Sequence, residues 1–292
     1  MPDINLISVS PSQLSGTGES GLYDVAQFEK KYLAQGDSWF SIGHLPPWST
    51  TNLLQQMVLS RSAVAVNCAR PGVELAHMTD TSTAQVFLNL LNGNIAWQWD
   101  ALLISGGGND LIDAVNTDPS FGPDLRLLLR SDEWQPSSPV PDRYLSDSGW
   151  ATFVAHMEEV LKLLLSQRDK GINQGVPLFL HTYDYVTPRN APAGLHLGPW
   201  LYKALHDRYQ VPSDDWNSVA DALIDRLATM WLTLATKYAD RQITIVDSRG
   251  STIRATVGSS GVSSDWENEI HPTPQGYGLL DRQWRTLLDA LA

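Results

Sequence analysis

Short apolar runs alternate along this chain with longer amphipathic segments, and this alternation restricts the possible folds more than any other feature. Four runs have the length of strands and end in polar or turn-forming residues: SAVAVN (62–67), ALLIS (101–105), VPLFLHT (176–182) and ITIVD (243–247). A weaker fifth candidate is KKYLAQ (30–35). Because nearly continuous apolar strands separated by helices are typical of a parallel sheet covered on both faces, the pattern predicts an α/β fold.

The segments between and after these runs have apolar residues at helical spacing. They are NLLQQMVLSR (52–61), FVAHMEEVLKLLLSQ (153–167), SVADALIDRLATMWLTLATKY (218–238) and GLLDRQWRTLLDALA (278–292). No shift in composition and no internal repeat divides the chain, so we predict a single domain over 1–292 with an N-terminal extension at 1–28. The Pro- and Ser-rich stretch 116–149 is longer than an ordinary loop, and we expect it to form a lid insertion.

The composition argues against several classes of protein. The chain has 20 Lys and Arg against 32 Asp and Glu, a net charge of −12, which disfavours a nucleic-acid partner. A single cysteine, Cys68, rules out an internal disulfide framework and a zinc site built from cysteines. No window approaches the roughly 20 apolar residues of a membrane span. The start of the chain shows no secretory leader, which favours a cytoplasmic protein, or a mature secreted form whose signal has been removed.

Polar residues and glycines follow the ends of the predicted strands. Ser38 in QGDSWFS comes after the first strand, Gly72 after the second, and Asn109 in GGND after the third. His271 lies between the last strand and the C-terminal helix. Because the carboxyl ends of parallel strands meet at one edge of the sheet, we expect these four residues to lie close together.

Their residue types suit acyl transfer. Ser38 becomes a nucleophile when a base such as His271 removes its proton. The backbone N–H groups of Ser38 and Gly72 and the side-chain amide of Asn109 would then hold the oxyanion. Each residue alone also has a structural explanation, as a turn, an ordinary histidine, a turn glycine or a helix N-cap. It is the combination that predicts a catalytic site.

Four blocks carry a family resemblance: QGDSWF, the Gly72 segment, GGND and the late His-Pro at 271–272. In this order, from about Gly36 to His271, they resemble the four blocks of the SGNH (GDSL) hydrolases. The resemblance implies a flavodoxin-like, three-layer α/β/α sandwich with a mainly parallel sheet. It also implies that Ser38 is the nucleophile, His271 the base, and Gly72 and Asn109 oxyanion donors. The family hydrolyses esters and thioesters, some members act on acylated sugars or lipids, and the resemblance implies neither a cofactor nor a metal.

The sequence departs from the family pattern beside the histidine. The family has Asp three residues before its catalytic histidine, where this chain has Asn268. An amide can orient an imidazole, although it stabilises the cation less than a carboxylate does. Asp265, six residues before His271, could instead fold back towards the ring. A Ser–His dyad supported by a backbone carbonyl or a water is the third alternative, and the sequence leaves all three open.

The resulting hypothesis is a serine carboxylesterase that hydrolyses short-chain acyl esters of small molecules through an acyl-enzyme. Alternatives within the same chemistry are an acetyl esterase acting on decorated carbohydrates, a thioesterase and a lysophospholipase. A non-catalytic binding module on the same fold is a further alternative. The glycine pattern GTGESG (16–21) would suit an NAD-dependent oxidoreductase, but Pro11 interrupts the strand that such a motif requires.

Two other features are less specific. HTYDYVTP (181–188) follows the fourth strand, which makes His181 a second candidate base. Tryptophans are numerous, and core packing is favoured over an aromatic pocket wall for most of them. Those near the predicted site are Trp39, Trp48, Trp97, Trp99, Trp200 and Trp266.

Overall fold

The computed structural model describes residues 3–14, 23–41, 51–194 and 197–291. The glycine motif at 16–21 and Trp48 lie outside these ranges. The strands of the described part are β1 (Ile4–Asn5), β2 (Ile7–Val9), β3 (Lys30–Gly36), β4 (Val58–Leu59), β5 (Ala63–Asn67), β6 (Ala101–Ser105), β7 (Leu178–His181) and β8 (Ile243–Val246). The α-helices are α1 (Ser38–Ser41), α2 (Leu53–Gln56), α3 (Gln85–Asn92), α4 (Gly108–Val115), α5 (Asp147–Arg168), α6 (Trp216–Lys237) and α7 (Pro274–Asp289).

Six strands form one parallel sheet in the order β2-β5-β3-β6-β7-β8. Leaving out the edge strand β2 and numbering the other five along the chain gives the order 2-1-3-4-5, which is that of a flavodoxin-like fold. Every residue of β6, near the middle of the sheet, is buried, which explains its uninterrupted apolar sequence. The predicted α/β fold class is therefore confirmed.

The helices fall into two groups that cover the sheet. Helices α2 and α7 pack together, while α3 packs against α5. Helix α6 is joined to α5 by an ion pair between Lys237 and Glu158, 2.6 Å apart. None of the helices in the described ranges is long and apolar enough to cross a membrane.

The register of the sheet determines which residues meet at its carboxyl edge. Gly36 at the end of β3 pairs with Ser105 at the end of β6, and Ala34 pairs with Asn67 at the end of β5. The loops that follow these three strands consequently leave the sheet at nearly the same height. This places the segments that contain Ser38, Gly72 and Asn109 beside one another.

The helix predicted over 52–61 is wrong in its second half. Helix α2 ends at Gln56, and Val58–Leu59 pairs antiparallel with β1. The backbone N–H of Val58 also donates to the carboxylate of Asp281 in α7, at 3.2 Å. These partners are distant in sequence, so the local apolar spacing could not reveal the strand.

Two predicted helices begin earlier than their apolar spacing indicated. Helix α5 begins at Asp147, because the Ser146 hydroxyl accepts the N–H of Gly149 at 3.1 Å and caps the first turn. Helix α7 begins at Pro274, where proline suits the first helical position, with Thr273 as its cap. Capping chemistry therefore extends both helices by several residues.

The stretch 116–149 is folded against the start of α5. The buried guanidinium of Arg126 donates to the Leu128 carbonyl at 2.8 Å and pairs with Glu133 at 2.6 Å. Leu128 forms an isolated antiparallel bridge with Leu145. The assignment of this stretch as a lid stays a prediction. In the predicted extension 1–28, β2 adds an edge strand to the sheet.

Candidate active site

Ser38 is the first residue of α1, on a tight turn that directly follows β3. Gly36 permits this turn, because a Cβ at that position would lie 2.7 Å from the Cβ of Ser105. The carboxylate of Asp37 accepts the N–H of Trp39 at 3.0 Å and orders the turn. Ser38 is mostly buried, with the residue 8% exposed, and it lines a cavity.

His271 lies beside Ser38, although 233 residues separate them in sequence. Its Nε2 atom is 2.8 Å from the Ser38 Oγ atom. Burial lowers the pKa of His271 to about 4, because the charged imidazolium loses its hydration. At neutral pH the ring is therefore uncharged and has a lone pair available to accept the Ser38 proton.

Asn268 orients the His271 ring. Its Oδ1 atom lies 3.0 Å from His271 Nδ1 and also accepts the backbone N–H groups of Ile270 at 3.1 Å and His271 at 3.0 Å. Two backbone donors require an oxygen at this position, which decides the orientation of the amide. An oxygen there in turn requires a proton on Nδ1, so Nε2 of His271 is the atom that faces Ser38 unprotonated.

Asp265, the other candidate for orienting His271, makes its hydrogen bonds to other residues. Its carboxylate accepts the N–H of Ile253 at 2.7 Å, and its carbonyl accepts the N–H of Thr273 at 2.8 Å, just before α7. Asp265 therefore connects the loop around residue 253 to the start of the last helix. Of the alternatives left open by the sequence, the structure places the Asn268 side chain on the ring.

Asn109, the second residue of α4, lines the same cavity as Ser38. One N–H of its amide donates to the Val73 carbonyl at 3.1 Å, which leaves the second N–H for another acceptor. Gly107 precedes the helix with a φ of 98°, a backbone conformation that favours glycine. The GGND block is therefore the turn that presents this amide.

Gly72 lies in the turn directly before Val73, with a φ of 74°. It lines a neighbouring cavity with Val73, rather than the cavity that contains Ser38. The structure thus brings Ser38, His271, Asn268 and Asn109 together and places Gly72 one residue from the carbonyl that holds Asn109. Its role as an oxyanion donor stays a prediction.

The cavity at Ser38 is small and mostly apolar, with a volume of about 50 Å³. Its apolar walls are formed by Leu111, Ile112, Val186, Leu201, Ile224 and Ile270. Its small size and apolar walls suit a short apolar group.

A buried chain of polar side chains supports the turn of Ser38 from below, and the sequence did not reveal it. Asp37 accepts hydrogen bonds from the Tyr183 hydroxyl at 2.5 Å and from the Ser105 hydroxyl at 2.7 Å. The Nε2 atom of His181 lies 2.8 Å from Ser105 Oγ. Burial raises the pKa of Asp37 to about 6, against the lowering effect of these hydrogen bonds.

The contacts of His181 define its tautomer and its role. Its Nδ1 accepts the backbone N–H of Tyr183 at 3.3 Å, so the proton is on Nε2, which donates to Ser105. Burial lowers the pKa of His181 to about 3, which keeps the ring neutral. His181 therefore supports Asp37 through Ser105, and the second candidate base lies in the layer beneath Ser38.

Arg189 and Glu269 hold the loop of His271, and neither belonged to a recognisable motif. The buried guanidinium of Arg189 donates to the Asn268 carbonyl at 2.6 Å. The Glu269 carboxylate accepts the N–H groups of Leu201 at 3.1 Å and Tyr202 at 2.6 Å, together with those of two further residues, Arg189 and Trp200. Burial raises the pKa of Glu269 to about 7, and the four N–H donors oppose that shift.

Two tryptophans contact the loop of His271 or the His271 ring. The indole N–H of Trp39 donates to the Ile270 carbonyl at 3.1 Å, which ties the turn of Ser38 to the loop of His271. The Trp200 ring meets the His271 ring edge-on, with 5.6 Å between centroids. Trp99 and Trp266 are buried in the core, in agreement with the packing explanation.

Among the residues that the structure describes, there is no cluster of three or more His, Cys, Asp or Glu side chains that could hold a metal ion.

Comparison with known proteins identifies similar structures but no similar sequences. No protein-family model matches the chain, and no curated protein sequence matches it. An extracellular lipase from Streptomyces rimosus is 16% identical, with a TM-score of 0.47, over 90% of this chain and 100% of that chain. An acetylxylan esterase from Geobacillus stearothermophilus is 14% identical, with a TM-score of 0.43, over 88% and 92% of the two chains. A Slackia heliotrinireducens protein described as an SGNH hydrolase is 14% identical, with a TM-score of 0.43, over 89% and 98%.

Proposed function

We propose that this protein is a serine ester hydrolase of the SGNH type, acting on short-chain acyl esters through an acyl-enzyme. The observation that carries the proposal is the continuous hydrogen-bonded chain from Ser38 Oγ to His271 Nε2 and from His271 Nδ1 to Asn268 Oδ1. This geometry supports Ser38 as the nucleophile, His271 as the base and Asn268 as the group that orients the base.

In the first half of the reaction, His271 removes the Ser38 proton as Oγ attacks the ester carbonyl. The negative charge that develops on the carbonyl oxygen accepts hydrogen bonds from the Ser38 N–H and from the free N–H of the Asn109 amide. Gly72 would supply a third donor. The imidazolium is stabilised by Asn268 Oδ1, which accepts a hydrogen bond from the Nδ1–H group throughout the reaction.

The tetrahedral intermediate then collapses, and His271 gives its Nε2 proton to the departing alcohol. In the second half, His271 takes a proton from a water that attacks the acyl-Ser38 carbonyl. Collapse of that intermediate returns the proton to Ser38 and releases the acid. The volume of about 50 Å³ at Ser38 supports an acyl group of acetyl or similar size.

The proposal is tested with p-nitrophenyl esters of increasing acyl length. We expect turnover of the acetate, weaker turnover of the butyrate and little of the octanoate. Ser38→Ala should abolish turnover and also abolish covalent labelling by a fluorophosphonate. Ser120→Ala, which changes an exposed serine of the 116–149 stretch, is the matched control and should behave as the unmodified protein. Turnover retained in Ser38→Ala would contradict the proposal, and a folded protein without labelling would indicate a binding module.

A further inference from the structure

We propose that the cleft beside Arg70, made of the two cavities that Gln35 and Arg70 both line, binds the alcohol half of the ester. This alcohol has a negatively charged group that pairs with the Arg70 guanidinium. The inference rests on the proposed ester hydrolysis and adds the class of leaving alcohol to it.

The loop that carries Arg70 is attached directly to the turn of Ser38. The backbone N–H of Arg70 donates to the Gly36 carbonyl at 2.8 Å, two residues before the nucleophile. In the same loop, the Asn67 amide donates to the Phe40 carbonyl in α1 at 2.8 Å. The Arg70 side chain therefore starts from a backbone position next to the reacting serine.

The space around this loop is where the alcohol can lie. When the acyl group fills the Ser38 cavity of about 50 Å³, the alcohol half of the ester lies outside it. Two larger cavities, of about 230 and 450 Å³, are both lined by Gln35 and Arg70. The smaller one is also lined by Val73, whose carbonyl holds the Asn109 amide. The smaller cavity thus lies next to the backbone that holds the Asn109 amide, which is where an alcohol leaving a carbonyl bound at Asn109 would emerge.

The charge of the cleft favours an anion. Arg70 is exposed, and its guanidinium makes no hydrogen bond or ion pair with any residue that the structure describes. The described residues that line the two cavities include no Asp or Glu, although the chain as a whole carries a net charge of −12. His77, at the smaller cavity, faces the Glu74 carboxylate at 3.6 Å. Arginine presents a planar fork of donors that matches carboxylate and phosphate oxygens.

The far wall of the larger cavity is apolar. Phe87 and Leu90 of α3 are buried beneath it, while Val86 and Ile95 are each 44% exposed at its edge. Such a wall can pack against the apolar face of a ring, because the free energy gained is roughly proportional to the apolar area buried. The best-matched alcohol is therefore cyclic, with its anionic group towards Arg70.

The test compares two acetates that differ in charge on the leaving group: para-acetoxybenzoate, which is anionic, and its neutral methyl ester. The quantity measured is the ratio of their kcat/KM values in each variant, because the intrinsic reactivity of the two esters cancels between variants. We expect Arg70→Gln to lower the anionic-to-neutral ratio by about five- to tenfold, the range for losing one partly exposed charged contact. Arg70→Lys should lose less, and the neutral ester should be hydrolysed at an unchanged rate.

Arg282→Gln is the matched control, because it removes the same charge from an exposed position in α7. It should leave the ratio unchanged. The same ratio is measured for para-acetoxyphenyl phosphate and shows which anion is preferred. A preference for either anion supports the proposal if it is lost in Arg70→Gln. An equal ratio in Arg70→Gln and the unmodified protein, with both esters hydrolysed, would overturn the Arg70 proposal alone. Hydrolysis of neither ester by the unmodified protein would instead overturn the proposed function.

Discussion

Replacing Asn268 tests the feature of the site that departs from the pattern of the resemblance, an amide in the place where a carboxylate is expected. In Asn268→Ala, the Nδ1 proton of His271 and two backbone N–H groups lose their shared acceptor. In the transition state the ring is charged, and a hydrogen bond from a charged donor contributes about 1.5–3 kcal/mol. At about 1.4 kcal/mol for each factor of ten, kcat/KM should fall by about 10- to 150-fold.

Asn268→Asp keeps the acceptor and adds a negative charge. Charge-assisted hydrogen bonds are about twice as strong as neutral ones, so the imidazolium is stabilised and kcat/KM near pH 8 should rise by about tenfold. The pH profile should move in a defined direction. In the unmodified protein burial holds the pKa of His271 at about 4, so activity should be lost only as the pH falls through about 4. A carboxylate beside Nδ1 raises that pKa, so the acid limb should shift to higher pH.

The assay is kcat/KM for p-nitrophenyl acetate from about pH 4 to about pH 9, with the melting temperature of each variant measured in parallel. Asp265→Ala is the control, because its carboxylate holds the Ile253 N–H and not the ring. It should lower stability by about 1–2 kcal/mol and change kcat/KM by less than about threefold. The reasoning is refuted if Asn268→Ala retains full activity, or if Asp265→Ala loses as much activity as Asn268→Ala while remaining folded.

Three other substitutions probe the groups around Ser38, His271 and Asn268. Asn109→Ala should lower kcat by about 10²-fold, as expected for one lost oxyanion donor; an unchanged kcat in single-turnover measurements would exclude the amide from the oxyanion site. Trp39→Phe removes the indole N–H that donates to the Ile270 carbonyl. It should lower the free energy of unfolding in urea by about 1 kcal/mol and lower kcat/KM by about tenfold. A loss of stability with unchanged kcat/KM would mean that Trp39 contributes only to packing. Arg189→Lys loses most of the hydrogen bonds that Arg189 donates to loop carbonyls. It should lower the free energy of unfolding by about 2–4 kcal/mol and should change kcat more than KM. Equal melting curves would contradict a role for Arg189 in holding the loop.

The sheet could be predicted because its strands are buried on both faces. A run such as ALLIS at 101–105 has to be apolar throughout when helices cover both sides, and β6 has these bounds in the structure. The second half of the 52–61 prediction failed because Val58–Leu59 becomes a strand through partners in β1 and α7. Apolar spacing reports burial of a face, and it does not report which distant segment supplies the hydrogen bonds.

The support of the site was less predictable than its reacting groups. Ser38 and His271 stood out because they follow strand ends in a known order of blocks. Arg189 and Glu269 carried no such signal, since an isolated Arg or Glu in a loop is usually a solvated surface residue. Their roles depend on burial and on backbone N–H and carbonyl groups that converge only after folding.

The sequence by itself determined that Ser38, Asn109 and His271 would meet, because parallel strands bring their carboxyl ends to one edge and the chain places these residues after those ends. Only the tertiary structure decided which side chain orients His271. Asn268 and Asp265 are both close enough to His271 along the chain to contact its ring. Which of them does so depends on which side-chain oxygen accepts the backbone N–H groups of the loop. Those groups hold Asn268 at the ring and Asp265 at Ile253, and their directions are set by the packing of the loop against Arg189 and Glu269.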